Sequence, residues 1–269
     1  MTATIHAGTL ALATLLGVAL SATATSPLRV CADPANLPFS STRGDGFENQ
    51  LAEQLARDLG TTIAYTWKPQ RDDFLRTTLL AGTCDVVMGY PAGVQQVATT
   101  TPYYRSSYVW VSQRARALRI RSYDDPILGS LRIGVQFSGD DASSPPAQAL
   151  GRRGIAAGHL VGFIGVGDER GSSPPSEIIS AVARGSVDVA AVWGPLAGYY
   201  AARQPVPLVV RPVTPQIDGR MPQAFDIAMA TRRDDARRLD QLNRFIATHQ
   251  RDIDALLDRY HVPRVERAS

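Results

Sequence analysis

From residue 28 onward the apolar positions of the chain alternate between two periods. Leu28–Ala32 is a short apolar run and reads as a buried strand. Phe47, Leu51, Leu55 and Leu59 recur every four residues, with Ala52 and Ala56 beside them. That is one apolar stripe on a helix, which Gly60 can end in the left-handed conformation. Ile63, Tyr65 and Trp67 alternate with polar or small residues, so a strand follows. Phe74, Leu75, Thr78 and Leu79 predict a second helix ending at Gly82, and Val86, Val87 and Met88 a third strand. Strand, helix, strand, helix, strand is the rhythm of a parallel sheet with right-handed crossovers.

The rhythm then returns. LRIGVQFSGDD at 131–141 echoes LRVCADPANLP at 28–38. AGTCDVVMG at 81–89 and RGSVDVAAVWG at 184–194 share one plan: helix end, Gly, two residues, Asp-Val, buried strand, Gly. Ser173 suits a helix cap with Pro174 in the first turn, and Ile178, Ile179 and Val182 supply that helix's buried face. Two similar α/β lobes are predicted. No third unit follows. Residues 225–230 read as a strand, Leu239, Leu242, Phe245 and Ile246 as one amphipathic helix, and Ile253, Leu256, Leu257 and Tyr260 as another. This segment is expected to return and complete the first lobe. The expected plan is a discontinuous first lobe, 28–112 plus 222–262, and an inserted second lobe, 117–212. Hinges fall near 112–117 and 212–222, with a cleft between the lobes.

Composition adds the compartment. The chain has 269 residues, 44% hydrophobic and 20% charged, ordinary for a globular protein. The net charge of +3 comes from 27 Arg and the single Lys68 against 25 acidic residues, without a block of like charges. No nucleic-acid partner is expected on that distribution. Residues 1–24 contain no Asp, Glu, Lys or Arg, and Leu10 to Leu20 forms an apolar core too short to span a bilayer comfortably. Ala22-Thr23-Ala24 provides small residues for signal cleavage. The segment reads as a signal peptide cut near Ala24/Thr25, although the usual basic n-region is missing; an uncleaved anchor or a misplaced start is the alternative. No later segment suits a membrane, so the mature chain is expected in the periplasm without an integral membrane segment. In an oxidising compartment the two cysteines, Cys31 and Cys84, read as a structural disulfide, with two buried free thiols as the alternative. In a 2-1-3 strand order the first and third strands are neighbours about 4.8 Å apart, and disulfides need Cα atoms within roughly 4.4–6.8 Å. The bridge would close a loop of about fifty residues.

Ligands of open α/β sheets sit beyond the carboxyl ends of the strands. The loops 33–39, 89–91, 138–141 and 193–195 occupy those ends and should face the cleft. Candidate ligand or partner residues are Asp33, Phe39, Glu48, Trp67, Arg71, Tyr90, Tyr103, Arg105, Ser138 and Trp193. Each has a plainer reading. About half of the aromatics in YYRSSYVWV must pack the core. Asp33 precedes Pro34 and suits a turn. Glu48 sits at a helix start, where the dipole favours an acid as much as a cleft would. Arg71 and Arg105 suit either an anion or surface salt bridges. Asp140 and Asp141 fit a cap better than a Ca²⁺ site, which needs more oxygen ligands. His159, His249 and His261 are scattered, and neither a metal spacing nor a Ser-His-Asp arrangement can be argued. The chain is expected to be no enzyme and to bind no cofactor or metal of its own.

LRVCADPANLPFS, GDGFENQLAEQLARDLG, YTWKPQRDDFLRTTLLAGTCDVVMG and TTTPYYRSSYVWV resemble the methanol-oxidation J proteins. These are relatives of type II periplasmic solute-binding proteins, associated with pyrroloquinoline-quinone-dependent alcohol dehydrogenases. The resemblance is dense over 28–111 and more diffuse beyond. It implies an α/β fold of the two-lobe type II periplasmic-binding-protein kind. It also implies a periplasmic accessory whose partner is the large subunit of a methanol dehydrogenase, with its cytochrome c as a further partner. The alternative is a substrate-binding protein of an ABC transporter, its cleft closing on a small solute or peptide. Amino-acid receptors of this kind carry an Arg shortly before an F/Y-S-x-P-Y-type strand, which clamps the ligand carboxylate. The corresponding GVQQVATTTPYY has Gln95 and Gln96 and no Arg, which weakens an amino-acid reading unless Arg71 or Arg105 substitutes.

Overall fold

The structure is a computed structural model and describes residues 26–137, 144–164 and 174–266. The expected signal segment, Ser138, Asp140, Asp141 and the proposed cap Ser173 lie outside the described residues.

The first strands and helices follow the apolar periods: β1 (Leu28–Ala32), a small ladder of β2 (Ala35–Asn36) and β3 (Ser40–Ser41), α1 (Phe47–Asp58), β4 (Ile63–Trp67), α2 (Phe74–Thr77) and β5 (Val86–Pro91). A short β6 (Ala98–Thr99) leads into β7 (Tyr104–Gln113), the longest strand. Next come β8 (Ile133–Phe137), α3 (Pro145–Arg152), β9 (Leu160–Ile164), α4 (Pro174–Arg184), β10 (Val189–Trp193), α5 (Gly194–Ala201) and β11 (Leu208–Pro212). A hairpin of β12 (Ile217–Asp218) and β13 (Met221–Pro222), then β14 (Ala224–Thr231) and α6 (Ala236–Arg259), complete the chain.

The strands form one curled sheet in the order β4-β1-β5-β14-β7-β10-β8-β9. Its two ends are parallel units with the same 2-1-3 plan: β1 lies between β4 and β5, and β8 between β9 and β10. Antiparallel β14 and β7 join them. This is a two-lobe α/β fold whose first lobe is completed by the returning β14 and α6. The strand β7 runs through both halves. Its residues 104–107 pair with β14, and from Tyr108 onward it pairs with β10 and β11. The change of partners falls between Ser107 and Tyr108, ahead of the 112–117 segment expected as a hinge.

Each half is covered on both faces, as period-two alternation requires of a buried sheet. Leu28, Val30, Val86 and Met88 face Phe47, Leu51 and Leu55 of α1 and Leu242, Phe245 and Leu257 of α6. Their neighbours Cys31 and Val87 face Phe74 and Leu79 on the other side. In the second half Val109, Val111, Ala190 and Val192 pack on α4 and α5, while Trp110, Val189 and Ala191 meet Leu128, Ala149 and Leu150.

Two expectations are corrected. The helix predicted from Phe74 to Gly82 is only one turn. Thr77 and Thr78 donate their hydroxyls to the carbonyls of Asp73 (2.8 Å) and Phe74 (2.6 Å), and Thr78 leaves helical geometry. Such back-bonding competes with the helix ladder. The two C-terminal helices are a single helix of 24 residues, α6. No Gly or Pro interrupts 236–259, and its buried residues stay on one stripe from Leu242 to Leu257. The sequence reading also missed α3, β9, α5 and β11.

Cys31 and Cys84 form a disulfide with Cα atoms 5.5 Å apart, closing a separation of 53 residues. It joins β1 to the loop just before β5, rather than two paired strand residues, since Cys31 stands opposite Val87. The halves also touch behind the sheet. The tail after α6 crosses α5 and β7: Ser106 donates to the Pro263 carbonyl at 2.6 Å, and the Val265 amide to the Arg105 carbonyl at 3.1 Å. Tyr199 of α5 stacks on Tyr260 with ring centroids 5.7 Å apart. A Cβ at Gly198 would overlap the His261 carbonyl oxygen, so only glycine allows this approach. The substitution Gly198→Val is therefore expected to cost about 1–3 kcal/mol by overpacking. Thermal denaturation should show a midpoint lower by several degrees.

Candidate functional site

The carboxyl ends of the strands open onto a cleft of about 840 Å³ between the two halves. Its base is built by sequence-local rules. The first turn of α1 brings Glu48 under the end of β5, where Gly89 leaves room for it; a Cβ at Gly89 would overlap the Glu48 carboxyl. Phe39 reaches the same wall from the loop after β1, its ring 5.4 Å from Phe47. Tyr90 follows Gly89 on β5, and β7 contributes Tyr104 and Tyr108. From the second half come Gln136, Trp193 and Leu196, and from β14 Phe225 and Ile227. Trp193 is held edge-on by Tyr108 (5.5 Å) and Phe225 (5.8 Å), so one ring bridges three elements. The segment 70–76 forms the outer rim, with Gln70, Arg71, Asp72 and Arg76.

Of the residues expected from the sequence, Phe39, Glu48, Arg71, Tyr90 and Trp193 line this cleft together. Four others lie elsewhere. Asp33 is buried and closes the turn: its carboxylate accepts the Ala35 amide at 2.9 Å and the Gln70 amide at 2.7 Å. Trp67 stacks on Tyr65 at the sheet edge, centroids 4.4 Å apart. Tyr103 is buried and donates its hydroxyl to the Met88 carbonyl at 3.0 Å. Arg105 pairs with Asp226 at 3.2 Å and donates to Gln216 at 3.2 Å, tying β7 to β14 and the hairpin region. Ser138 lies outside the described residues. Tyr104 and Tyr108 take the place expected for Tyr103. Alternation along YYRSSYVWV shows two faces, but β7 is covered on both, so the sequence does not say which face opens to the cleft. Gln136, Phe225 and Arg76 carried no signal at all.

The charges are sparse. Arg71 and Arg76 form no ion pair among the described residues. Among the same residues no side chain hydrogen-bonds the Glu48 carboxyl. Burial, and then the neighbouring Asp33, push Glu48 up to about 8. Burial also raises Asp33 itself, against two backbone hydrogen bonds that lower it, and raises Tyr90. No group of three or more His, Cys, Asp or Glu among the described residues could hold a metal ion. Nor is any described helix long and apolar enough to cross a membrane. The arrangement can bind and orient a ligand or a partner segment.

The fold and its inter-lobe cleft define a periplasmic-binding-protein architecture. Residues 28–263 match the bacterial extracellular solute-binding proteins, family 3. The chain is 32% identical to Protein MoxJ of Methylorubrum extorquens (strain AM1) over 244 residues, which are 88% of this chain and 81% of that protein. The crystal structure of periplasmic binding protein XoxJ from Methylobacterium extorquens AM1 superposes with a TM-score of 0.74 at 31% identity, covering 89% of this chain and 100% of that one. MxaJ from Methlophaga aminisulfidivorans MPT superposes with a TM-score of 0.75 at 29% identity, covering 88% and 100%. The chain belongs to solute-binding family 3 and, within it, to the J proteins that these relatives represent.

The raised Glu48 carboxyl has a consequence for stability. The folded state holds its proton between pH 4.5 and about 8, where the unfolded chain has lost it. Folding stability from this group is therefore intact at low pH and lost as pH rises through that window. Glu48→Gln removes the loss. Its urea-unfolding free energy, relative to wild type, is expected to rise by about 1 kcal/mol or more from pH 5 to pH 8. A difference independent of pH would count against a half-buried carboxyl with a raised pKa.

Proposed function

We propose that the chain is a non-catalytic periplasmic accessory of a pyrroloquinoline-quinone-dependent methanol or alcohol dehydrogenase. It acts by binding a segment of the dehydrogenase large subunit in the cleft or on its aromatic rim, and so favours the active form of that enzyme. The observation that carries this reading is the similarity to J proteins over nearly the whole chain. The cleft supports it: several aromatic rings line a volume large enough for more than one side chain, and aromatics anchor protein partners well. In this reading residues 1–24 are removed on export near Ala24/Thr25. The lobes 28–112 plus 222–262 and 117–212 hold the cleft between them, and the dehydrogenase's cytochrome c is a further member of the assembly. The absent carboxylate-clamp Arg before β7 fits a cleft that does not serve free amino acids.

The test is capture of partners from native periplasmic extract on the mature protein from Thr25, disulfide intact, identified by mass spectrometry. A quinoprotein dehydrogenase is expected among the captured proteins. The double substitution Tyr90→Ala and Trp193→Ala should reduce its recovery at least tenfold, since buried aromatic anchors are typically worth about 2 kcal/mol or more. Undiminished recovery would move the binding surface away from the cleft. Extract that contains the dehydrogenase but yields none on the column would overturn the accessory reading in favour of a solute receptor for an ABC transporter.

A further inference from the structure

The base of the cleft holds an acid with nothing to complete it. Glu48 is partly buried beneath the end of β5, and no hydrogen bond or ion pair reaches its carboxyl among the described residues. The groups that face it are acidic or neutral. Asp33 stands behind it after β1, and the phenols of Tyr65 on β4, of buried Tyr103 just ahead of β7 and of Tyr104 on that strand lie near enough to the Glu48 carboxyl to be raised by its charge. The cations of the cleft, Arg71 and Arg76, belong to the 70–76 rim, together with Asp72. Around the same volume stand the rings of Phe39, Tyr90, Tyr108, Trp193 and Phe225.

A half-buried carboxyl without a protein donor gains from a ligand that supplies both N–H groups and positive charge. Aromatic faces attract cations by their quadrupole. An anionic group would oppose ionisation of Glu48 and would meet repulsion from it once the carboxyl is ionised. A hydrocarbon would leave the carboxyl unmet. An organic ammonium satisfies both the carboxyl and the rings.

We propose that Glu48 is the recognition point for a primary alkylammonium, presented as a lysine side chain by the segment that enters the cleft. The proposal rests on the partner-binding reading above and names the chemistry of what enters. Below pH 8 the free carboxyl keeps its proton for the most part. The incoming ammonium, which is already fully protonated, then pairs with the carboxylate, and the carboxyl proton leaves to solvent. Binding should therefore tighten as pH rises toward 8 and release up to one proton per site.

The mature protein, disulfide intact, can be titrated with N-acetyl-lysine N-methylamide, followed by NMR shifts that read millimolar binding. N-acetyl-norleucine N-methylamide is the neutral isostere, and free norleucine presents an α-amino acid head without a side-chain cation. Capped lysine is expected to bind saturably at the cleft, at least tenfold more tightly at pH 8 than at pH 6, with the capped norleucine at least tenfold weaker. Glu48→Gln should lose the preference and the pH dependence together. Calorimetry in two buffers of different ionisation enthalpy should show proton release by wild type and none by the variant. Equal binding of the two capped ligands, an unaltered Glu48→Gln, or no binding of capped lysine would each overturn the proposal. Free norleucine binding in preference to capped lysine would overturn it in favour of an α-amino-acid site. Dehydrogenase capture that is equal on wild type and Glu48→Gln, alongside any of these failures, would leave the accessory reading standing; loss of capture by wild type strikes that reading instead.

Discussion

The sheet depends on one clamp, built twice. In the first half Arg29 of β1 grips Asp85 with two nitrogens, at 3.0 and 2.6 Å, and donates to the Gly82 carbonyl at 2.8 Å. In the second half Arg132, just before β8, does the same to Asp188, at 3.3 and 2.9 Å, and to the Gly185 carbonyl at 2.7 Å. The backbone repeats the pattern, with the amides of Asp85 and Asp188 each donating to the carbonyl of the clamping Arg at 2.8 Å. Gly82 and Gly185 both turn with φ of +73°, a left-handed conformation that suits glycine. Arg232 and Arg116 add a second cation to each acid. Arg132, and then Arg116, hold the Asp188 carboxyl well below the usual carboxylate range, and at Asp85 the arginines outweigh a burial that acts the other way. Each clamp locks the first strand of its half to the loop that begins the neighbouring strand. Register is thereby set at the amino ends, and the carboxyl ends are free to carry the loops of the cleft.

From that register follows the character of the cleft. Because β5 and β10 start in step with β1 and β8, Gly89-Tyr90 and Trp193 arrive at matching heights on opposite walls. Trp193 immediately precedes the first turn of the next helix, and α5 carries Gly198 and Tyr199 to the tail of the first half. The same element that presents an aromatic to the cleft thus ties the halves together behind it. Among the described residues the cleft is aromatic, with one carboxyl at its base and its basic side chains, Arg71 and Arg76, at the rim.

Much of this was legible in the sequence. The apolar periods at 47–59, the alternation at 63–67 and the paired motifs at 81–89 and 184–194 are local signals with strong physical causes, and they specify two similar α/β units. The compartment and the Cys31–Cys84 pairing follow from composition and strand order. Phe39, Glu48, Tyr90 and Trp193 could be placed at strand ends or a helix start, where a ligand is expected. What failed to show was decided by contacts distant along the chain. A short amphipathic run such as 145–152 or 160–164 is ambiguous until a sheet edge receives it. The one-turn α2 reflects threonine hydroxyls that compete with the helix.

The sequence by itself thus determined the elements, their order and the doubling of the plan, because these rest on periodicity and on residues a few positions apart. Only the tertiary structure decided which face of β7 opens to the cleft, that Arg105 is spent on Asp226, that Asp33 closes a turn, and that Glu48 has no hydrogen-bond partner among the described residues. Each of those outcomes turns on a neighbour brought from 15 to 121 positions away, and burial acts on a carboxyl only once the walls around it have been assembled.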